Sequence, residues 1–248
     1  MIQFVVFDEK LLKLVDNEHD AAERFARVAA IARHILVVCR TTKGDDKHQG
    51  LSMIWIPTDA EGLTIDPIDT LGGRETAQLF LEEVEAPESA LLGEVDQGWT
   101  QLMAGLNVER LILAATMLGV GQRAFDDTLA YVKERKQFGR PIGSFQALQH
   151  RIAELATELE AARLMTHWVA SKVDEDPDRM LPREASMVKL LVTETAQKAS
   201  LEGMQMMGGY GYSSEYDMER LVRQTLVSTI YGGTSEIQRN IIAKTLGL

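Results

Sequence analysis

Three long stretches with helical periodicity dominate the chain after Trp99. They run from about Trp99 to Lys136, Ser144 to Val173 and Pro182 to Gly208, and each is longer than an average globular helix. The breaks "FGRPIGS" and "DEDPDRMLP" between them contain the proline and glycine that end helices. Shorter helices are predicted from about Glu215 to Ser228 and from Ser235 to Leu246. Long helices with short connections bury their apolar faces most simply by packing together, which predicts an antiparallel bundle.

The sequence before Trp99 has a different texture. The short apolar runs "ILVVC", "LSMIWIP" and "TAQLFLEEV" are separated by the turn compositions "TKGDDKHQG", "DAEG" and "LGGRE", which predicts β-structure from His34 to about Gly98. Near the start, "FVVF" is a short apolar run and "DNEHDAAERFARVAAIAR" predicts a charged helix. We therefore predict an α+β, mainly α fold with three parts: an atypical segment 1–33, a β segment 34–98 and a helical-bundle domain 99–248.

The composition restricts the partners and the compartment. The 248 residues carry a net charge of -11 and no Lys/Arg run interleaved with aromatics, so we expect no nucleic-acid partner. The presence of a single cysteine, Cys39, excludes an internal disulfide framework. The apolar run in which it lies favours a packing role over a catalytic one. No signal peptide opens the chain and no apolar run reaches the length of about 18 residues that spans a membrane. We expect a cytoplasmic protein without a membrane span or a metal site.

A carboxylate interrupts the apolar face of the first bundle helix. Leucines and a methionine recur at helical spacing in "GLNVERLILAATMLG", and Glu109 falls on the same face. Burying a carboxylate is costly unless it is paired, and burial raises its pKa towards the range that suits a general base. The interpretation remains open between a structural salt bridge, with Arg110 or a more distant partner, and a base.

Three other segments could approach a ligand. In "YVKERKQFGRPIGS", Arg135 and Phe138 are predicted to project from one helix face near its end, offering a cation and an apolar edge; a solvated charge cluster is the alternative. The segment "QMMGGYGYSS" has more glycines than a helix end needs, which suggests close approach of a ligand to the backbone.

The C-terminal segment "YGGTSEIQRNIIAKTLGL" contains two adjacent glycines before a helix. Ser235 and Gln238 fit a capping box, and Ile237 and Leu246 belong to a predicted apolar face. A cap needs only the serine, so the glycines indicate that something approaches the helix N-terminus, where unpaired N–H groups favour electron-rich ligands. A plain turn before a capped helix is the alternative.

Taken together, these segments resemble the C-terminal part of acyl-CoA dehydrogenases. The resemblance covers roughly residues 36 to 248 and includes "LGGRETAQLFLEEVEAPESALLGEVDQGW", which looks like the end of that family's central β-domain. It implies the remnant of an antiparallel β-domain followed by an antiparallel four-helix-bundle domain. The N-terminal helical domain and the flavin loops that the family has before this part are missing. We therefore expect either a truncated chain or one that has lost its N-terminal half.

The resemblance implies an FAD-dependent flavoprotein oxidoreductase of fatty-acid and lipid metabolism. It would convert an acyl-CoA to the trans-2-enoyl-CoA and pass the electrons to an electron-transfer flavoprotein, within a homo- or hetero-tetramer of such subunits. The cofactor carries the difficult chemistry and the protein supplies a base and orientation. Three alternatives remain open: an oxidase that uses oxygen, a non-catalytic or truncated subunit that lends flavin contacts to a full-length partner, and a binding module unrelated to flavin.

The resemblance also assigns roles to individual residues. Many family members have a glutamate base where this chain has Gly232; as in the isovaleryl- and long-chain branch, the base is instead expected at Glu109, the first residue of an "ER" pair. Asn107 stands where an aspartate is frequent. The expected cofactor contacts are Arg135, Phe138, Gln146, Gln205, Gly209, Thr234 and Glu236. The expected substrate contacts are Arg110, Gly232 and Gly233.

Overall fold

The computed structural model describes residues 4–6, 19–21, 32–43, 45–46, 48–177 and 179–248. The chain divides into two compact units, Met1–Ala104 and Gly105–Leu248. The domain boundaries drawn from sequence texture, after residues 33 and 98, stay predictions.

The first unit contains a four-stranded sheet and a two-stranded sheet. Its strands, in chain order, are β1 (Phe4–Val6), β2 (His19–Ala21), β3 (His34–Arg40), β4 (Leu51–Pro57), β5 (Leu63–Leu81) and β6 (Leu91–Leu92). Four of them pair in the order β1-β3-β4-β6, with β3 and β4 antiparallel from His34 opposite Pro57 to Arg40 opposite Leu51. β1 runs parallel to β3, and β2 runs parallel to β5. Most of the charged helix predicted near the start lies outside the described residues, but at β2 that prediction is wrong.

The extended stretch β5 doubles back on itself. Straight, its 19 residues would span about 60 Å, yet the N–H of Glu82 donates to the carbonyl of Gly62 at 2.9 Å. The reversal lies at the predicted turn "LGGRE", where Thr70 Oγ1 donates to the carbonyl of Gly73 and Arg74 pairs with Asp69. Both ends of β5 therefore pack on the same core, formed by Ile35, Val37 and Ile56, against which Cys39 packs half-buried.

The second unit is helical, and α1 begins just before it. The helices are α1 (Gly98–Glu134), α2 (Gln146–Glu175), α3 (Pro182–Met207), α4 (Gly209–Tyr212), α5 (Met218–Ser228) and α6 (Ser235–Thr245). Between α1 and α2 lies a hairpin of β7 (Lys136–Gln137) and β8 (Arg140–Pro141), followed by a 3-10 turn at Ile142–Ser144. The predicted fold class, α+β and mainly α, is confirmed.

Three apolar clusters fix the packing of the bundle. One joins Ala114 and Met117 of α1 to Ala162 and Val169 of α2 and to Val188, Val192 and Ala196 of α3. A second joins Val132 of α1 to Leu155 and Leu159 of α2 and to Ala199 and Met206 of α3. Residue numbers rise from the first cluster to the second in α1 and α3 but fall in α2, so neighbouring helices run antiparallel. A third cluster seats Met218 and Leu221 of α5 on Ala124 and Met207.

The predicted apolar face of α6 is only partly covered. Ile241 and Ile242 are half-buried, whereas Ile237 is 46% exposed and Leu246 is 62% exposed. The prediction that this face packs is therefore only half met within the unit.

Among the described residues, α1 is the helix that is long and apolar enough to cross a membrane by length and composition alone. Core helices of water-soluble proteins pass the same test, and α1 carries the charged residues Glu109 and Arg110 in its first half. The absence of a membrane span stays a prediction.

Candidate active site

The predicted site residues fall into two groups, each built within the helical unit. Glu109 lies near the start of α1 and Arg135 directly follows its end. A rise of about 1.5 Å per residue places these two residues about 39 Å apart. We call the first group the glycine-turn site; it comprises Glu109, Arg110, Gly232, Gly233, Thr234 and Glu236. We call the second group the hairpin site; it comprises Arg135, Phe138, Gln146, Gln205 and Gly209.

The glycine turn packs directly against α1. Gly232 and Gly233 have φ values of 62° and 88°, a left-handed conformation that favours glycine. A Cβ added at Gly232 would lie 2.6 Å from Leu113 Cδ1, too close for any real contact. Leu113 follows Glu109 by one helical turn on the same side of α1. The backbone of Gly232 therefore lies about one helical turn from the Glu109 position.

The N-terminus of α6 is capped differently from the prediction. Thr234, not Ser235, is the N-cap residue, and its Oγ1 accepts from the N–H of Ile237 at 3.4 Å. The side chain of Gln238 does not close a capping box but donates to the carbonyls of Gly232 and Gly233, at 3.0 and 2.8 Å. The residue spacing in the sequence could not predict that the Gln238 side chain lies this close to the carbonyls of the glycine turn. The backbone N–H of Glu236 and the Thr234 hydroxyl lower the pKa of the Glu236 carboxyl.

Glu109 is half-buried and forms no ion pair with any described residue. Burial raises the pKa of its carboxyl, and the charge of Arg110 opposes that rise. A structural salt bridge is therefore not what holds Glu109 on this face. An unpaired carboxyl with a raised pKa has the properties of a general base.

The Arg110 guanidinium is buried with donors to spare. Its Nη1 donates to Asn107 Oδ1 over a long 3.4 Å, and its Nε has no partner among the described residues. Burial lowers the pKa of Arg110, while Glu109 opposes that shift. A buried donor without an acceptor is costly. Arg110 is therefore suited to receive an acceptor from a bound ligand, as expected for a residue near the substrate.

Sequence reasoning missed Lys189, the charged residue most deeply buried at this site. It lies in α3 with no solvent exposure, and its Nζ donates to the carbonyl of Gly233 at 2.9 Å. Burial first, and the charge of Arg110 second, lower its pKa to about 8. A signal was present in the sequence, because Lys189 interrupts the apolar spacing set by Ala185, Val188 and Val192.

The hairpin site departs from the predicted geometry. Because α1 ends at Glu134, Arg135 and Phe138 do not project from a helix face, and that prediction is wrong. Lys136 pairs with Pro141 and Gln137 with Arg140, leaving Phe138 and Gly139 as a two-residue turn with φ values of 53° and 79°. Two left-handed residues are what such a hairpin turn requires. Phe138 and Gly139, two residues before Pro141, therefore form the turn of a hairpin and do not extend the helix.

Phe138 is displayed at the tip of this hairpin. Its side chain is 92% exposed, and its ring lies edge-on to that of Phe145 at a ring-centroid distance of 6.1 Å. A bulky residue in the left-handed region is strained, and such strain tends to persist where function requires it. Arg135 lies with its guanidinium carbon 5.4 Å from the ring of Tyr210. The hairpin therefore displays an exposed aromatic ring at its tip, and the cation at its base lies over Tyr210.

The glycines that follow α3 are subject to different structural constraints. Gly208 has a φ of 63° at the end of α3, and a Cβ on Gly211 would lie 2.8 Å from the carbonyl oxygen of Met204. Gly209 has no such constraint, since nothing lies within 4 Å of an added Cβ. It stands beside exposed Gln205, while Gln146, also exposed, opens α2 just after the hairpin. Open space at Gly209 is compatible with a ligand that approaches the backbone closely.

Comparison with known proteins identifies the family. The family described as "Acyl-CoA dehydrogenase, C-terminal domain" matches residues 96–247. The probable acyl-CoA dehydrogenase YngJ of Bacillus subtilis is 42% identical over 221 residues, 88% of this chain. The subunit CarC of the caffeyl-CoA reductase-Etf complex of Acetobacterium woodii is 38% identical over 201 residues, 80% of this chain. The crystal structure of an acyl-CoA dehydrogenase from Geobacillus kaustophilus covers 88% of this chain with a TM-score of 0.83 at 36% identity.

The chain belongs to the acyl-CoA dehydrogenase family, whose members are FAD-binding flavoproteins. The predicted resemblance is confirmed. The chain spans only 58% of YngJ, 52% of CarC and 58% of the Geobacillus kaustophilus chain. The residues present fit FAD at two places: the exposed ring, cation and open glycine of the hairpin site, and the glycine turn with its N-terminal helix donors.

Proposed function

We propose that this chain takes part in the FAD-dependent α,β-dehydrogenation of an acyl-CoA thioester to the trans-2-enoyl-CoA. The observation that carries the proposal is Glu109, a half-buried carboxyl without an ion pair, one helical turn from the point where the glycine turn touches α1. The family relationship supports an oxidoreductase. Gly232 has no side chain that could act as the base, and the pKa of Glu236 is lowered whereas that of Glu109 is raised, which favours Glu109 as the base.

Glu109 would remove the proton from the α-carbon of the acyl group. Its raised pKa makes the carboxylate a stronger base than an exposed glutamate, and the charge of Arg110 opposes the rise. The free donors of Arg110 would orient the thioester end of the substrate. FAD, when bound, supplies the two-electron acceptor for the hydrogen that leaves the β-carbon.

The two groups of predicted cofactor contacts would serve different FAD molecules. About 39 Å separates Glu109 from Arg135 along α1, which is further than one FAD molecule extends. We propose that Thr234 and Glu236 lie beside the flavin of one site, while Arg135, Phe138, Gln146, Gln205 and Gly209 reach the nucleotide end of an FAD held mainly by a neighbouring subunit. This arrangement requires at least a dimer, and the tetramer expected from the resemblance satisfies it.

We propose an electron-transfer flavoprotein as the electron acceptor. The name of the relative CarC, a subunit of an Etf complex, supports this partner. We also propose a cytoplasmic location, which the free thiol of Cys39 supports.

A second candidate function is a non-catalytic or truncated subunit that lends the hairpin site to a full-length partner. The observation that favours it is the exposed hairpin, which is complete in this chain without any contribution from the glycine-turn site. Mixing the chain with a full-length relative separates the two functions: only the catalytic proposal requires Glu109 for turnover.

The test of the catalytic proposal is anaerobic bleaching of flavin absorbance by acyl-CoA in such an assembly. Glu109→Gln keeps the shape and removes the proton acceptor, so the bleaching rate should fall by about a hundredfold to ten-thousandfold with unchanged flavin content. The matched control is Glu184→Gln, which replaces another glutamate of intermediate burial, paired with Arg183 at the start of α3 and outside both sites. It should leave the rate within about threefold. Undiminished bleaching in Glu109→Gln would exclude this residue as the base.

A further inference from the structure

The burial of Lys189 at its position in α3 is energetically unfavourable. It is completely buried in the first third of α3, among the apolar core residues Val188 and Val192. Removing an ammonium group from water costs several kcal/mol unless a strong partner repays it. A methionine of similar length would fill the same space without that cost. The one hydrogen bond that its Nζ makes to the described residues, to the Gly233 carbonyl, is therefore the place to look for its role.

Two buried side chains hold the carbonyl groups of the glycine turn. The Gly233 carbonyl accepts from Lys189 Nζ at 2.9 Å and from Gln238 Nε2 at 2.8 Å, and Gln238 also donates to the Gly232 carbonyl at 3.0 Å. Gln238 has no solvent exposure either. The turn is thus fixed from α3 and from α6 at the same time.

Fixing the carbonyls also fixes the N–H groups. In a planar trans peptide the C=O and N–H point in opposite directions, so the peptides that follow Gly232 and Gly233 must direct the N–H groups of Gly233 and Thr234 away from Lys189 and Gln238. Neither N–H group has an acceptor among the described residues. They form a pair of donors at the start of α6, where the helix dipole adds to their attraction for an electron-rich ligand.

We propose that Lys189 is a positioning residue. Its ammonium group holds the Gly232–Gly233 turn so that the N–H groups of Gly233 and Thr234 point towards the space that a ligand would occupy in the glycine-turn site. This inference deepens the proposed function, since the turn lies at the proposed active site. Because the bond is charge-assisted, it weakens when Lys189 loses its proton.

Burial and the charges around Lys189 together bring that loss close to neutral pH. Arg110 faces it from α1 and lowers its pKa, while Glu194 of α3 and Glu236 of α6 raise it. Both of these carboxylates also pair with Arg239. Glu109 shifts the pKa of Arg110 but is not among the groups that shift the pKa of Lys189. Burial is the largest influence, and the resulting pKa of about 8 places the change about one unit above neutral.

The test is hydrogen–deuterium exchange of the full chain, followed by mass spectrometry of the peptide that covers Gly232 to Gln238. Lys189→Met should accelerate exchange in this peptide by about tenfold, with no change in peptides from α2. The control is Lys198→Met, on the same helix but at the surface, where Lys198 pairs with Glu158; it should leave the turn peptide unchanged. Unchanged exchange in Lys189→Met, or an equal loss of protection throughout the bundle, would overturn the positioning role.

A second measurement needs no variant and covers the case in which Lys189→Met does not fold. In the wild-type chain, protection of the turn peptide, corrected for the intrinsic exchange rate, should fall about fivefold as the pH rises through about 8. A flat profile would overturn the proposal. Neither measurement uses flavin or substrate, so a failed Glu109→Gln test would refute the proposed base without affecting the result for Lys189.

Discussion

Two glycines in the helical unit should respond in opposite ways to the same substitution. At Gly232, alanine must adopt a φ of 62° and place its Cβ 2.6 Å from Leu113 Cδ1. The left-handed conformation costs about 1–2 kcal/mol, and moving the Leu113 methyl out of its rotamer costs about 1 kcal/mol. We expect Gly232→Ala to lower the free energy of unfolding by about 2–3 kcal/mol, the sum of these effects.

Gly209 provides the matched control. It has an ordinary helical conformation, and nothing lies within 4 Å of an added Cβ. Alanine loses less backbone entropy on folding than glycine, so Gly209→Ala should be neutral or stabilising by up to about 1 kcal/mol. If a ligand uses the open space at Gly209, the same variant should weaken FAD binding in an assembly with a full-length relative.

Urea denaturation followed by circular dichroism measures both variants. Gly232→Ala should shift the midpoint to lower urea at constant m-value, and its melting temperature should fall by about 5–10 °C. The packing argument would be refuted if the two variants had equal stability, or if Leu113→Ala failed to recover part of the loss in Gly232→Ala. For the same reason, Gly232→Glu alone should rescue Glu109→Gln poorly, and adding Leu113→Ala should improve the rescue.

Four further predictions concern the titration of Lys189 and Glu109, the strain at Phe138 and the binding of FAD. The folded-state pKa of Lys189, about 8, lies below its ordinary value, so the unfolded chain binds more protons between about pH 8 and 10.5. The free energy of global unfolding should rise across this window by up to about 3 kcal/mol, and Lys189→Met should lack the rise. Local opening of the glycine turn leaves Lys189 buried in α3, so the turn can lose protection across the same window while the free energy of global unfolding rises. In an active assembly, the rate of flavin bleaching should fall on acidification, because Glu109 must be ionised, and the apparent pKa of this fall should lie above that of an ordinary glutamate. An apparent pKa at or below the ordinary value would contradict the burial of Glu109. Phe138→Asn should stabilise the chain by about 1 kcal/mol by relieving the left-handed phenylalanine, yet weaken FAD binding by the assembly; unchanged affinity would remove Phe138 from the hairpin site. The chain alone should bind FAD weakly, since its two groups of contacts address different FAD molecules, and stoichiometric flavin after extensive dialysis would contradict this.

The sequence by itself determined the main helices of the bundle and the family. The helical periodicity placed α1, α2, α3, α5 and α6 to within a few residues, because each has a long apolar face bounded by proline, glycine or polar turns. The turn composition "LGGRE" also located the reversal inside β5, where glycine permits the sharp change of direction. Motifs in a fixed order then identified the family, which single residues could not have done.

The tertiary structure decided how the site residues are held. Spacing placed Arg135 and Phe138 on a helix face, but two left-handed residues put them on a hairpin instead, and only the backbone conformation reveals that. Spacing likewise made Gln238 part of a capping box, whereas the nearby carbonyls of Gly232 and Gly233 capture its side chain.

The roles of Glu109 and Lys189 depend on which side chains surround them. The sequence showed that Glu109 shares a face with leucines, but whether an ion pair neutralises it depends on residues from other parts of the chain. Lys189 acquires its lowered pKa and its bond to Gly233 from helices that are far apart in sequence. Periodicity determines which face of a helix a residue occupies, and packing between helices determines which groups that face contacts. The second cannot be read from the sequence, because desolvation and hydrogen bonding act over a few ångströms in space, whatever the separation of the residues along the chain.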